Sequence, residues 1–170
     1  GVNSYEYNIV KVFRLDKSIS IELLKEALFK CIVDNEILRC NFIEKDGGLY
    51  LKVHPSSSSR LQEIIINENR ESEKKIEECF RKELRFTFDL VNSPLIRIVL
   101  IKSKLNQTQY FILNIHHIII DGWGIDLLKE QIVTHYYTLV SNLKQPKNHL
   151  PQYSNYIHWQ ETLIRKNSFN

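Results

Sequence analysis

The stretch Tyr110-Phe111-Ile112-Leu113-Asn114-Ile115-His116-His117-Ile118-Ile119-Ile120-Asp121-Gly122-Trp123-Gly124 decides how the rest of the chain is read. A nearly continuous apolar run ends in two histidines, and an Asp-Gly pair follows before a segment of helical periodicity. A strand apolar on both faces belongs in the middle of a sheet covered by helices. Leu95-Ile96-Arg97-Ile98-Val99-Leu100-Ile101, just after Pro94, has the same character. The two runs flank a polar turn at Asn106-Gln107-Thr108, which predicts a pair of central strands.

Downstream, Ile125, Leu128, Ile132, Tyr136 and Val140 recur at helical spacing, predicting a helix over 124–142. Upstream, the near-alternating Tyr7 to Phe13 predicts a strand. Ser20 stands at an N-cap position before Ile21, Leu24, Leu28 and Cys31, which predict a helix over 20–33, with Glu22 in its first turn. Leu38 to Ile43 returns to a strand pattern, and Asp46-Gly47-Gly48 signals a hairpin into Leu49, Leu51 and Val53 on one face. Pro55 to Ser59 is a loop, and Leu61 to Ile66 a short strand. A charged helix over 70–85 carries Ile76, Phe80 and Leu84 inward, with Glu77 four residues before Arg81. Beyond a linker at 144–151, Tyr153, Tyr156, Trp159 and Leu163 predict a last helix over 153–166. The order mixes helices with hairpins, so the expected class is α+β: a two-layer sandwich in which helices cover a mixed sheet.

At 170 residues the chain is one domain or one lobe of a larger one. With 43% hydrophobic and 25% charged residues it can bury a sizeable core, which excludes disorder. A net charge of +3, without a basic run interleaved with aromatics, gives no argument for nucleic acid. Cys31, Cys40 and Cys79 are odd in number and lack a CxxC pair, against a disulfide framework or thiolate metal site. No signal peptide or spanning segment is visible, so a soluble, cytoplasmic protein without membrane association is expected.

The constellation at the end of the apolar strand suits acyl transfer. An imidazole with a reference pKa of ~6.5 can accept a proton from an attacking amine at neutral pH. Asp121 can fix the loop by pairing with a cation or with backbone groups. Gly122 allows close approach to a substrate, and amides near a helix N-terminus can face an oxyanion. The same residues would also serve as a strand end and a plain Asp-Gly turn with no function. Neighbouring strand residues point to opposite faces, so His116 and His117 cannot both face a substrate. That divergence also makes His116, His117 and Asp121 a poor metal-ligand set, and no metal is expected. His54, His135, His149 and His158 are scattered, and Trp123 and Trp159 are core residues first.

His116-His117-Ile118-Ile119-Ile120-Asp121-Gly122-Trp123 matches the His-His-x-x-x-Asp-Gly signature of nonribosomal peptide synthetase condensation domains, and the chain resembles that family throughout. Glu36-Ile37-Leu38-Arg39 with Phe42 is similar to the tail of the family's upstream Arg-His-Glu-x-Leu-Arg-Thr motif. Phe88-Asp89-Leu90 and Pro94-Leu95-Ile96-Arg97 resemble its Phe-Asp-Leu and Pro-Leu-Leu-Arg stretch. Tyr153-Ser154-Asn155-Tyr156 through Trp159 resembles its Tyr-x-Asp-Tyr-x-x-Trp motif. The departures are Asp34 and Asn35 for Arg and His, Cys40 for Thr, Asn155 for Asp and Gly124 for Ser. The family's first motif, rich in Ser, Gln and Arg, has no counterpart. The chain is therefore expected to begin after it and to end where the family's second lobe would begin.

The resemblance implies a chloramphenicol acetyltransferase-like fold, with residues 1–170 as the N-terminal lobe of a condensation domain whose C-terminal lobe lies elsewhere. It implies amide formation between a carrier-bound aminoacyl or peptidyl thioester donor and an amine acceptor. His117 would be the active-site histidine, deprotonating or positioning the amine, and Gly122 would admit the thioester carbonyl. Asp121 would hold the loop by a salt bridge with Arg39, and His116 would brace it. Arg97 would end a strand at the surface. No cofactor is expected in the domain itself; substrates would ride on the phosphopantetheine of peptidyl or acyl carrier protein partners, with an adenylation domain adjacent. The Asp-Gly-Trp pattern disfavours epimerization domains, and the His-His pair excludes heterocyclization domains. A non-catalytic carrier-docking lobe and a stand-alone acyltransferase of the superfamily are the alternatives. The His-x-x-x-x-Asp spacing of glycerolipid acyltransferases is also met, without the membrane-facing surface they need.

Overall fold

Strand β1 (Asn8–Leu15) opens the described chain after a 3-10 turn at Tyr5–Tyr7. The computed structural model describes residues 5–55, 61–66, 72–104, 107–144 and 160–161. Ser20 then accepts the amide hydrogen of Leu23 on its hydroxyl and caps helix α1 (Ile21–Asp34). Helical spacing places Leu24, Ala27, Leu28, Cys31 and Ile32 on the buried face. A 3-10 turn at Glu36–Arg39 leads into β2 (Cys40–Lys45), so the strand starts two residues after Leu38. Asp46 and Gly47 both take positive φ, 52° and 75°, the signature of the two-residue type I′ turn that joins β2 to β3 (Gly48–Val53). Leu49, Leu51 and Val53 share a face of this two-stranded ribbon, and all three are exposed.

Strand β4 (Leu61–Ile66), helix α2 (Ser72–Leu84), strands β5 (Ile96–Ser103) and β6 (Gln109–His116), helix α3 (Gly122–Lys144) and the two-residue strand β7 (Gln160–Glu161) complete the order. The main sheet runs β4-β5-β6-β1-β7; β4 is parallel to β5 and the other pairs are antiparallel, so the sheet is mixed. The two runs apolar on both faces are its interior strands β5 and β6, as their composition predicts. The helix expected over 153–166 is corrected at its described residues. Gln160 and Glu161 pair with Arg14 and Phe13, because the outer edge of β1 offers main-chain hydrogen-bonding groups. The rest of that segment lies outside the described residues.

Alternation along the strands separates two cores. Phe111, Leu113 and Ile115, with Ile96, Ile98, Leu100 and Phe13, pack against α1 and α3. On the opposite face Ile112, Val99, Ile101 and Val12 pack against Ile76 and Phe80 of α2. The sheet therefore has helices on both faces, and the layers number three rather than the expected two. Each fully buried Leu, Ile or Phe contributes about 1.5–3 kcal/mol, so this double burial of β5 and β6 fixes the place of everything attached to their ends.

Arg97 does not end a strand at the surface. It lies within β5 and forks onto Glu83 of α2, Nε to Oε2 and Nη2 to Oε1, both at 2.9 Å, with Glu83 2% exposed. Asn114 of β6 donates to the same carboxylate and to the Glu83 carbonyl, at 3.0 and 2.8 Å. The guanidinium also stacks over the Phe86 ring at 3.9 Å. A carboxylate taken this far from water needs such partners, and the short distance between α2 and the sheet supplies them.

Candidate active site

The site stands where β6 ends and α3 begins. The backbone turns at His117–Ile119, with the Ile119 amide bonded to the His116 carbonyl at 3.2 Å. The His117 amide donates to the Tyr7 carbonyl at 2.8 Å, and the His116 amide to the Leu95 carbonyl at 3.0 Å. These two main-chain bonds hold the turn between the start of β1 and the approach to β5.

The two histidines diverge as strand geometry requires. His117 is exposed and lines an open cleft of about 500 Å³ between this turn, the first turns of α3 and the Asn35–Leu38 segment. His116 is 5% exposed, with its ring edge-on to Phe88 and tilted against Tyr7. Its Nδ1 accepts the Ile118 amide hydrogen at 3.2 Å, which places the ring proton of the neutral form on Nε2. Burial, and then the charge of neighbouring His117, holds the His116 pKa below the usual imidazole range.

Asp121 precedes the first residue of α3. Its Oδ1 accepts the Gly124 amide hydrogen at 2.7 Å, and its carbonyl accepts that of Ile125 at 3.0 Å. This is an N-cap, and the carboxylate also faces the positive helix end. The expected Asp121–Arg39 pair is not formed. Arg39 instead donates to the carbonyls of Ile32, Val33 and His54, at 3.1, 3.4 and 2.7 Å, and so closes the C-terminus of α1. Asp121 is exposed to solvent, whereas the last carbonyls of α1 need donors. Gly122 begins α3 with open space where a side chain would stand, and Gly124 is crowded: a Cβ there would lie 2.6 Å from Ile120 Cγ1.

Sequence reasoning missed the pair that closes one side of the cleft. Asn35 Nδ2 donates to the Cys31 carbonyl and to Gln131 Oε1, each at 2.7 Å, tying the end of α1 to α3. It also missed Glu83 and Asn114. Their signal was present: Asn114 interrupts an apolar strand two residues before His116, and Glu83 follows Ile76 and Phe80 at helical spacing. Among the described residues no cluster of three His, Cys, Asp or Glu side chains could hold a metal ion. No helix among them is long and apolar enough to cross a membrane.

The sequence profile of the condensation domain matches residues 2–170. The chain belongs to the condensation domain family. A linear gramicidin synthase of Brevibacillus parabrevis is 32% identical over 166 residues, which is 96% of this condensation-domain chain and 2% of the relative. Cyclosporin synthetase of Tolypocladium inflatum is 31% identical over 159 residues, 91% of the chain and 1% of the relative. Among solved structures, the starter condensation domain of the rhizomide synthetase superposes with a TM-score of 0.70 at 20% identity, over 82% of this chain and 33% of that one. The protein SgcC5 of Streptomyces globisporus gives 0.66 at 25% identity, over 87% and 33%. The chloramphenicol acetyltransferase-like α+β fold expected from the sequence is the fold of these solved structures. The present chain spans a third of their length and a few per cent of the synthetases.

Proposed function

We propose that the chain is the N-terminal lobe of a condensation domain and supplies the active-site histidine for amide formation between carrier-bound substrates. The observation that carries this reading is His117: in the family's signature, exposed, and lining the cleft while its neighbour is buried. The acceptor amine attacks the carbonyl carbon of the donor thioester. A C–N bond forms, the C–S bond breaks, and the proton lost by nitrogen ends on the departing thiol. An imidazole at His117 takes up that proton, or holds the amine so that its lone pair meets the carbonyl. Gly122, with no side chain and free space around it, lets the thioester carbonyl approach the start of α3, whose amides favour developing negative charge.

The thioesters would be carried on the phosphopantetheine arms of donor and acceptor carrier proteins, with a second lobe closing the cleft and an adenylation domain loading the carriers. The test is product analysis. The intact protein, given an aminoacyl donor and an aminoacyl acceptor on separate carriers, should yield the dipeptidyl thioester on the acceptor. Acylation of a free alcohol alone would move it to the stand-alone acyltransferases. Carrier binding without product would make it a docking lobe.

A further inference from the structure

Three buried polar atoms on one face of the β1–β6 ladder have no partner among the described residues: Asn8 Oδ1, Asn114 Oδ1 and His116 Nε2. Asn8 faces His116 directly across the β1–β6 ladder, and Asn114 lies two residues before His116 on the same face. All three meet residues 83–88. Asn8 Nδ2 donates to the Phe86 carbonyl at 2.5 Å, Asn114 Nδ2 to Glu83, and the His116 ring packs on Phe88.

Flipping the amides does not relieve them. Both hydrogens of Asn114 Nδ2 are committed to Glu83, to its carbonyl and its carboxylate, and Asn8 Nδ2 to Phe86. With Nδ1 accepting from Ile118, His116 Nε2 carries a hydrogen. The set is therefore one donor and two acceptors. A water molecule has the complementary set, one lone pair for Nε2–H and two hydrogens for the two amide oxygens, and three such partners are typical of an internal water.

We propose that Asn8 and Asn114 are positioning residues for the His117 turn, acting on His116 through one enclosed water. The water fixes His116 as the Nε2–H tautomer. That tautomer leaves Nδ1 free to accept the Ile118 amide, and this bond shapes the turn that presents His117 to the cleft. The bidentate Glu83–Arg97 pair anchors Asn114 from α2, so the network runs from the ion pair to the turn. The inference deepens the functional reading above and rests on it for its kinetic part.

The test uses the intact protein that carries this chain. Its crystal structure should show a solvent peak within hydrogen-bonding distance of all three atoms. An empty site, or a direct bond from His116 Nε2 to either amide oxygen, overturns the inference. This readout needs no turnover, so an inactive protein would sink the functional reading alone. Kinetics then separate positioning from packing. Asn8→Leu keeps the volume and removes the acceptor, and the maximal single-turnover rate should fall by roughly tenfold with unchanged donor saturation. Asn8→Ser leaves a hydroxyl and room for a second water, and should keep at least about a third of the rate. A Leu variant as fast as wild type overturns the inference. So does a Ser variant slower than the Leu one, the order that lost packing alone would give.

Discussion

Asp121 accepts the amide hydrogen of Gly124 at 2.7 Å, so the carboxylate of the His-His-x-x-x-Asp-Gly signature caps the helix that follows it. Replacing Asp121 by Ala should cost about 1 kcal/mol of stability, the usual loss for an N-cap. It should also slow amide formation, because the cap sets where the turn ends. Asp121→Asn keeps the acceptor and should lose a few tenths of a kcal/mol at most. Urea denaturation of the intact protein checks the order; an Asn variant as unstable as the Ala one would contradict the cap.

Gly124 and Ile120 form a second constraint on the same turn. Gly124→Ala would gain helix propensity of roughly 0.5–1 kcal/mol, yet the added Cβ meets Ile120 Cγ1 at 2.6 Å. The single variant should be destabilised by about 1–2 kcal/mol. The penalty should largely vanish when Ile120→Ala is present, a coupling that a double-mutant cycle measures. Additive effects would show that the turn relaxes without Ile120 moving.

Burial raises the Glu83 carboxyl pKa, and hydrogen bonds from Arg97 and Asn114, with the charge of Arg97, outweigh it and hold the group below its ordinary range. A depressed folded-state pKa stabilises the fold above the unfolded value of about 4.3, and that contribution is lost as pH falls through the folded value. Arg97→Met strands a carboxylate that is 2% exposed and should cost on the order of 3 kcal/mol at pH 7. Glu83 should then take up a proton on folding, so the variant's deficit should shrink between pH 7 and pH 5. Denaturant midpoints across that range decide it; a deficit independent of pH would mean that the cost is lost packing of Arg97 on Phe86, not a stranded Glu83 carboxylate.

Burial pushes the Cys31 thiol up to about 12, the Asp34 charge adding to it, and burial also raises Cys40 and Cys79. Since the thiolate is the reactive form, Cys31 should resist iodoacetamide at pH 8 in the native protein and react once it unfolds. Peptide mapping after a timed pulse reads this directly. Fast native labelling of Cys31 would contradict its place between α1 and the sheet.

What was legible in the sequence was local or periodic. Ser20 ahead of a helical stripe announced α1, Asp46-Gly47 announced the type I′ turn, and strands apolar on both faces announced β5 and β6. The divergence of His116 and His117 followed from strand geometry alone. The partners of charged residues were not legible, because they depend on which elements pack together. Arg39 finds the end of the preceding helix α1 rather than Asp121, and Arg97 finds a carboxylate fourteen residues upstream across a helix–sheet interface. The third layer was hidden for a similar reason: α2 is mostly charged, and its few inward residues, Ile76 and Phe80, seat it on the far face.

The most direct test of the account compares His117→Ala with His116→Ala in the intact protein, by single-turnover amide formation from acyl-loaded carriers at equal folded concentration. If His117 takes the amine's proton, His117→Ala should be slower by ~10²–10⁴-fold with nearly unchanged stability; if it only orients the amine, the loss should be smaller and depend on amine nucleophilicity. His116→Ala should lose stability, because its ring is buried against Phe88 and holds the Ile118 amide. Near-normal turnover by His117→Ala beside a well-folded but inactive His116→Ala would contradict the assignment.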